Sequence, residues 1–303
     1  MLRALVAGAA VAMAAWGVGS TQTATSVRSV LVSVSDAGGL PVVGLLPDDF
    51  VIDASGIPVD ALTATPSTHP LVLLVDTGAA AREYVTTFRA PLVRFVERTA
   101  LSPLSLVTFG DIPVVAVKFT PDGRRVTKGL NGLFARPETA SYLQDGLYRV
   151  AQEVRRLEVP LADAVVVTAP SFDASRRDTD RLIRDLIESH VRVHVVAQRT
   201  RVSANMPTPP PKSMRTVSAA DALVYTSREQ IATLTDISAA TGGTIQQVDL
   251  QSGLADALRQ IHEQHLGEYI VEFRPPSADV SAESFRFKVN LPGVRMSVRS
   301  LSR

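Results

Sequence analysis

The stretch "PLVLLVDTGAAARE" (residues 70–83) runs five strand-forming apolar residues, Leu71 to Val75, into one carboxylate, Asp76. An unbroken apolar run of this length, bounded by Pro70 and Gly78, reads as a strand buried on both faces. A carboxylate delivered by such a strand can hold a metal ion or polarise a substrate. The loop that follows, Gly78, Ala79 and Ala80, brings no side-chain oxygen to help it.

Outward from this strand, the chain repeats the same texture. Further strands are predicted at 70–76, 104–110, 112–119, 162–169, 191–198 and 243–248, with helical segments between them. Leu143, Leu147, Val150 and Val154 fall on one helical face, and Leu182, Ile183, Leu186 and Ile187 on another. Ser227 and Gln230 stand in capping-box spacing and predict a helix start there, with a stop at Gly242–Gly243. A helix over 81–98 contains Pro91, which should kink or shorten it. Strands alternating with helices call for a mostly parallel sheet covered on both faces. The segment 199–222 fits neither pattern, and its proline-rich polar composition reads as a long surface loop.

Both flanks change to pure strand patterns. Val30, Val32 and Val34 alternate with Ser29, Ser33 and Ser35, and turns follow at "DAGG" (36–39) and Ser55–Gly56. After Gly267, Tyr269, Val271 and Phe273 share a face, as do Phe285, Phe287 and Val289, then Val294, Met296 and Val298. A few strands at either end would be marginal alone. Residues 21–66 and 267–303 are therefore read as one small β-sandwich-like domain, with the α/β domain (67–266) inserted between them.

Residues 1–20 carry Arg3, an apolar core from Ala4 to Val18 and then Gly19 and Ser20, the order of an export signal peptide. About fifteen apolar residues are short for a bilayer span, which takes roughly 20. An uncleaved anchor and a buried helix are the competing readings. The expected location is secreted, periplasmic or on the cell envelope, with no membrane insertion once the signal is removed.

Composition narrows the function classes. The 303 residues are 46% apolar and 20% charged, enough for a real core. A net charge of +1 and 5% aromatic residues give no nucleic-acid surface. Cysteine is absent, so there are no disulfides and no thiolate chemistry. No nucleophile elbow, phosphate loop or dinucleotide fingerprint occurs, and an enzyme is not expected. His190 and His194 would share a strand face but lie too far apart to chelate one ion. His262 and His265 are three apart on a helix, one residue short of the zinc-peptidase pattern, and read as a solvated or interdomain face. "DASRRDTD" (173–180) lacks the glycine and closing glutamate of a calcium loop.

Three stretches resemble one family. "VLVSVSDAGGLPVVGLLPDDFVI" (30–52), "LVLLVDTG" (71–78) and the closing run from "ATGGTIQQV" (240–248) through "GLADALRQIHEQHLGEYIVEFRP" to "SFRFKVNLPGVRMSVRS" are similar to bacterial secreted von Willebrand factor type A-related proteins. The resemblance implies a Rossmann-like type A domain and a metal-ion-dependent adhesion site at the carboxyl ends of the strands. Such a site uses Asp-x-Ser-x-Ser, a Thr before a later helix and a distal Asp, all oxygen donors suited to Mg²⁺. Transferred to this chain, Asp76 matches the first Asp, while Gly78 and Ala80 stand where the two serines belong. Ser141 aligns with the Thr, Thr139 being the alternative, and Ala169 replaces the distal Asp. The site is degenerate, so no metal or other cofactor is expected. Bound Mg²⁺ or Mn²⁺ would have to rely on Asp76, Ser141 and Asp173. Asp76 would then serve backbone hydrogen bonds and the following helix. The function expected is non-enzymatic protein binding through the loops at Asp76, Ser141, Ala169 and Asp173, with the partner unnamed. Metal-dependent adhesion and a structural role in an envelope assembly are the alternatives.

Overall fold

The computed structural model describes residues 26–99, 101–110, 112–136, 141–199, 219–249, 251–277 and 279–301. In chain order the strands and helices are β1 (Arg28–Ser35), β2 (Phe50–Ala54), β3 (Ile57–Val59), β4 (Ala61–Pro66), β5 (Leu71–Val75), α1 (Val85–Arg98), β6 (Leu104–Thr108) and β7 (Val114–Thr120). They continue as α2 (Gly123–Asn131), α3 (Leu143–Arg155), β8 (Ala162–Thr168), α4 (Thr179–Glu188), β9 (Val191–Gln198), α5 (Ala219–Thr241) and β10 (Ile245–Val248). The last are α6 (Gln251–Leu266), β11 (Glu268–Phe273), β12 (Phe285–Val289) and β13 (Arg295–Ser300).

Six strands form a sheet in the order β10-β9-β8-β5-β6-β7, parallel throughout except for the antiparallel edge strand β7. Every residue of β5, β8 and β9 is buried, as unbroken apolar runs require when both faces are covered. Alternate residues feed two cores. Leu71, Leu73 and Val75 pack with α1, α2 and α6, while Val72 and Leu74 pack with α3, α4 and α5. This is a mostly parallel sheet with helices on both faces, the α/β architecture expected from the sequence, and it places Asp76 at the carboxyl end of a central strand.

The chain ends build two further sheets. In one, β1 lies between β13 and β11, with β4 beyond β11, all antiparallel. The other is β12-β2-β3. Val30, Val32 and Val34 share a face with Tyr269, Val271 and Phe273 of the paired β11 and pack on Phe50 and Ile52 in one core, so strands 1–4 and 11–13 close over one another. On the far face of β1, Leu31 packs against Leu161 and Leu301. The hairpin at Ser55–Gly56 has positive φ at both positions, which the right-handed strand twist favours.

Several expectations need correction. α5 begins at Ala219, so Ser227 and Gln230 lie inside a helix and cap nothing. It also takes up residues 219–222 of the expected surface loop, while 200–218 lie outside the described residues, as do Thr139 and the predicted signal peptide. α1 begins at Val85 after a single 3₁₀ turn and runs through Pro91, which sits buried midway along the helix. His190 is in the turn before β9 with φ 55°, so it shares no strand face with His194. Among the described residues no helix is long and apolar enough to cross a membrane.

The two units meet around one buried cation. Arg192, on β9, donates Nε and Nη2 to Asp163 of β8 at 2.7 Å each, and Nη1 and Nη2 to Glu268 of β11 at 2.6 and 2.9 Å. All three side chains are buried. Burial is the largest effect on Asp163 and opposes its charge, but Arg192, His69 and His265 together outweigh it and hold the carboxyl well below the usual range. Removing one partner from such a pair leaves an uncompensated charge. Arg192→Met should cost about 3–5 kcal/mol in equilibrium urea unfolding; a loss within the range of a surface substitution would show that the junction does not depend on it.

Candidate functional site

Asp76 is fully buried and its carboxylate is already taken. Oδ1 accepts from the Gly78 N–H at 2.8 Å, and Oδ2 accepts from Thr168 Oγ1 at 2.9 Å and the Ala169 N–H at 3.2 Å. The first bond folds the loop back on itself; the other two tie it to the end of β8. α1 starts only at Val85, so Asp76 caps the turn at Gly78 rather than the helix. Burial is the larger effect on its acidity and pushes it up to about 6, against the three hydrogen bonds.

The remaining residues assigned to the site gather at this same end of the sheet, each with its own partner. Ser141 and Asp173 pair as an isolated bridge, and the Ala174 N–H donates to the Ser141 carbonyl at 2.7 Å. Asp173 accepts from the Gln144 N–H in the first turn of α3 and from the Ser175 N–H. Gln230 Nε2 lies 3.4 Å from Ser141 Oγ, while its Oε1 accepts from the Ser171 N–H. Ser227 donates to the Pro170 carbonyl at 2.7 Å. Ser227 and Gln230 thus face inward and pin the loop after β8 to α5.

Gly110 closes the opposite side. A Cβ there would come within 2.1 Å of the Thr77 backbone, so only glycine allows the β6–β7 loop to lie against the Asp76 loop. The Arg136 N–H donates to the Thr77 carbonyl at 2.8 Å and brings the 132–136 segment alongside.

These residues do not fit the divalent ion that the resemblance implies. Gly78, Ala80 and Ala169 offer no side-chain oxygen, and Ala169 is buried. Asp76 and Asp173 spend their oxygens on backbone and hydroxyl donors, and Ser141 Oγ is adjacent to an amide. Mg²⁺ demands a near-octahedral oxygen shell and sheds water reluctantly. No step is derived through a metal here.

The residues missed by sequence reading are Thr168, Ser227 and Gln230 here, and Asp163, Arg192, Glu268 and His69 at the far end of the sheet. Thr168 had a signal, being the single hydroxyl that ends the apolar run of β8. Asp163 and Arg192 had a stronger one: each is the second residue of a strand with no exposed position, where an ionised group must be paired.

No family model and no curated protein matches this sequence. Among solved structures, the chain is similar to BatB, a conserved hypothetical protein of Bacteroides thetaiotaomicron, at 12% identity and a TM-score of 0.49, covering 65% of this chain and 98% of that one. It is similar to a von Willebrand factor type A protein from Catenulispora acidiphila at 14% identity and a TM-score of 0.49, covering 82% and 52%. A third is an aerotolerance-related membrane protein from Bacteroides fragilis, at 13% identity and a TM-score of 0.48, covering 65% and 100%.

Two outcomes follow from this geometry. A carboxyl whose folded pKa lies above its unfolded value favours folding when protonated. The charge on Asp76 therefore costs stability at pH 7, and the cost is relieved as pH falls through about 6 towards 4. The difference in unfolding free energy between the wild type and Asp76→Asn should change by on the order of 2–3 kcal/mol between pH 7 and pH 4; a pH-independent difference would contradict the raised pKa. Gly78→Ser, Ala80→Ser and Ala169→Asp together should make thermal stability depend on Mg²⁺, with the metal-free variant weakened by a second buried carboxylate. A melting temperature unmoved by Mg²⁺ would show that these are not the metal positions.

Proposed function

We propose that this chain is an exported, non-enzymatic protein-binding module that works through the loops at the carboxyl edge of its type A sheet, without a metal ion. The observation that carries this reading is what surrounds the closed Asp76 loop. Ile112, Phe134 and Phe172 are 77%, 74% and 60% exposed. They sit on three different loops. Ile112 follows Gly110, which packs on Thr77; Phe134 precedes Arg136, which bonds Thr77; Phe172 follows Ala169, which bonds Asp76.

Large apolar groups exposed together mark contact surfaces more often than solvated ones. An open groove of about 810 Å³ lies beside Phe172, lined by Tyr142, Asp145 and Arg177 among others. Arg177 is fixed there, 2.6 Å from Asp145 and 3.6 Å from the ring centre of Tyr148. Aromatic and arginine side chains held in this way are the anchors that protein interfaces favour. Where a metal would have offered one open coordination position, this face offers apolar area and a charged rim.

Export rests on the order of charge, apolar run and small residues in 1–20. The two units are taken as separate domains, bounded near residues 66–67 and 266–267, with the α/β domain carrying the binding face. Cross-linking of purified protein to an envelope extract tests the proposal. Capture should persist in chelator and be lost in the Ile112→Ser/Phe134→Ser/Phe172→Ser variant, whose folding these exposed positions leave intact. Capture abolished by chelator, or unchanged in the variant, would overturn it.

A further inference from the structure

At the opposite end of the sheet from Asp76, three histidines from distant parts of the chain converge on one carboxylate oxygen. His69 Nε2 lies 3.0 Å from Asp163 Oδ2, His265 Nδ1 lies 3.3 Å from it, and His194 Nε2 lies 3.7 Å from it. His69 comes from the connection between β4 and β5, His194 from β9 and His265 from the last turn of α6. All are more than nine-tenths buried. None of these three nitrogens makes a hydrogen bond of normal geometry, nor does His265 Nε2. Among the described residues this is the one place where three metal-capable side chains bring ligand atoms within 4.8 Å of one another: His69, Asp163 and His265.

We propose that His69 Nε2, His265 Nδ1 and Asp163 Oδ2 form a binding site for one divalent transition-metal ion of the Zn²⁺ class, with His194 Nε2 placed to complete the coordination.

Four features of the site support this. First, the rings are oriented from behind. His69 Nδ1 is 2.7 Å from Ser67 Oγ and His194 Nδ1 is 2.9 Å from Thr244 Oγ1. Fixing one ring nitrogen so that the other presents its lone pair is the outer-shell arrangement of metal-bound imidazoles. Second, the donor set of imidazole nitrogens with one carboxylate suits Zn²⁺ and disfavours Mg²⁺ and Ca²⁺, which take oxygen.

Third, the charges leave room for a cation. Asp163 and Glu268 carry two negative charges, which Arg192 bridges and Arg299 faces from its bond to the Thr241 carbonyl, so with neutral histidines the cluster has no net positive charge to repel a metal. Arg192 keeps its bond to Asp163 Oδ1 and both bonds to Glu268 while Oδ2 turns to a metal. Fourth, the ligands lie where the chain passes between the two units. The Ser67 N–H donates to the Glu268 carbonyl at 2.8 Å, so the outgoing and returning connections run side by side, and the ion would clasp both. Its role would be structural.

The test is titration calorimetry and thermal melting of the full chain after chelator treatment, with Zn²⁺, Co²⁺ or Mg²⁺ added. The expected result is one Zn²⁺ per chain, a melting temperature raised by several degrees through preferential binding to the folded state, and no effect of Mg²⁺. Co²⁺ should give the visible absorption of a low-coordinate nitrogen and oxygen site. His69→Gln and His265→Gln should each abolish the shift. Ser67→Ala should weaken Zn²⁺ affinity by roughly 10–100-fold, measured against its own metal-free baseline.

Absence of saturable binding at micromolar Zn²⁺ to the folded wild type would overturn the proposal. So would binding that survives His69→Gln but is lost in His262→Gln, which would place the ion on the outer face of α6. Should the histidine variants fail to fold, the X-ray absorption spectrum of the Zn²⁺-loaded wild type decides. Imidazole scattering from at least two histidines supports the site, and an oxygen-only shell overturns it.

Discussion

Arg192 holds the molecule together at the point where its architecture is weakest. A chain that leaves one unit, builds a second and returns must cross between them twice, and the crossings at Ser67–Pro70 and Leu266–Glu268 lie next to each other. Apolar contact at this boundary is thin: Leu31, Leu161 and Leu301 form a small cluster with Ile270. Arg192 reaches from the α/β sheet to a carboxylate in each unit, and its planar fork satisfies both by paired hydrogen bonds. A buried ion triad of this kind adds little net stability over an apolar substitute, but it penalises any register in which one partner is missing. Ser33 Oγ also donates to Glu268, so the network extends into β1 and fixes where the amino-terminal strand sits.

The two ends of the sheet use carboxylates in opposite ways. Asp163 is buried beside a guanidinium and stays charged. Asp76 is buried with hydrogen-bond donors but no cation beside it, and burial pushes its pKa up to about 6. Its three hydrogen bonds sew the loop to β8 and shut the position that a metal would need. Gly78, Ala80 and Ala169 bring no side-chain oxygen that could draw a cation in. What remains at that edge is a set of loops stitched by Gln230, Ser227 and Thr77, carrying exposed Ile112, Phe134 and Phe172.

Much of the fold was legible because burial is written into periodicity. Leu71–Val75 reads as a central strand because five apolar residues bounded by Pro70 and Gly78 are too short for a buried helix. The alternation of Val30, Val32 and Val34 had to face a second layer, and that layer proved to be Phe50 and Ile52 of β2 with Phe285 and Phe287 of β12. Reading failed where a residue's role depends on an element far away. Ser227 and Gln230 match the spacing of a helix start, yet α5 continues upstream, and their side chains are consumed by the loop after β8. His265 reads as part of a solvated helix face until the end of α6 is seen to be sealed by His69 and Asp163, with the two imidazole centres 4.0 Å apart.

The sequence by itself determined the strand and helix pattern, the split of the β layers between the chain ends, and the absence of side-chain oxygens at Gly78, Ala79 and Ala80. Each of these follows from local chemistry: apolar period, turn residues, and the presence or absence of a hydroxyl or carboxyl at a given position. Only the tertiary structure decided that Asp76 is closed by Thr168 and Ala169, that Ile112, Phe134 and Phe172 surround it, and that His69, His194 and His265 meet at Asp163. Those are distances between residues up to 196 positions apart, and such distances exist only once the sheet has set the order of its strands.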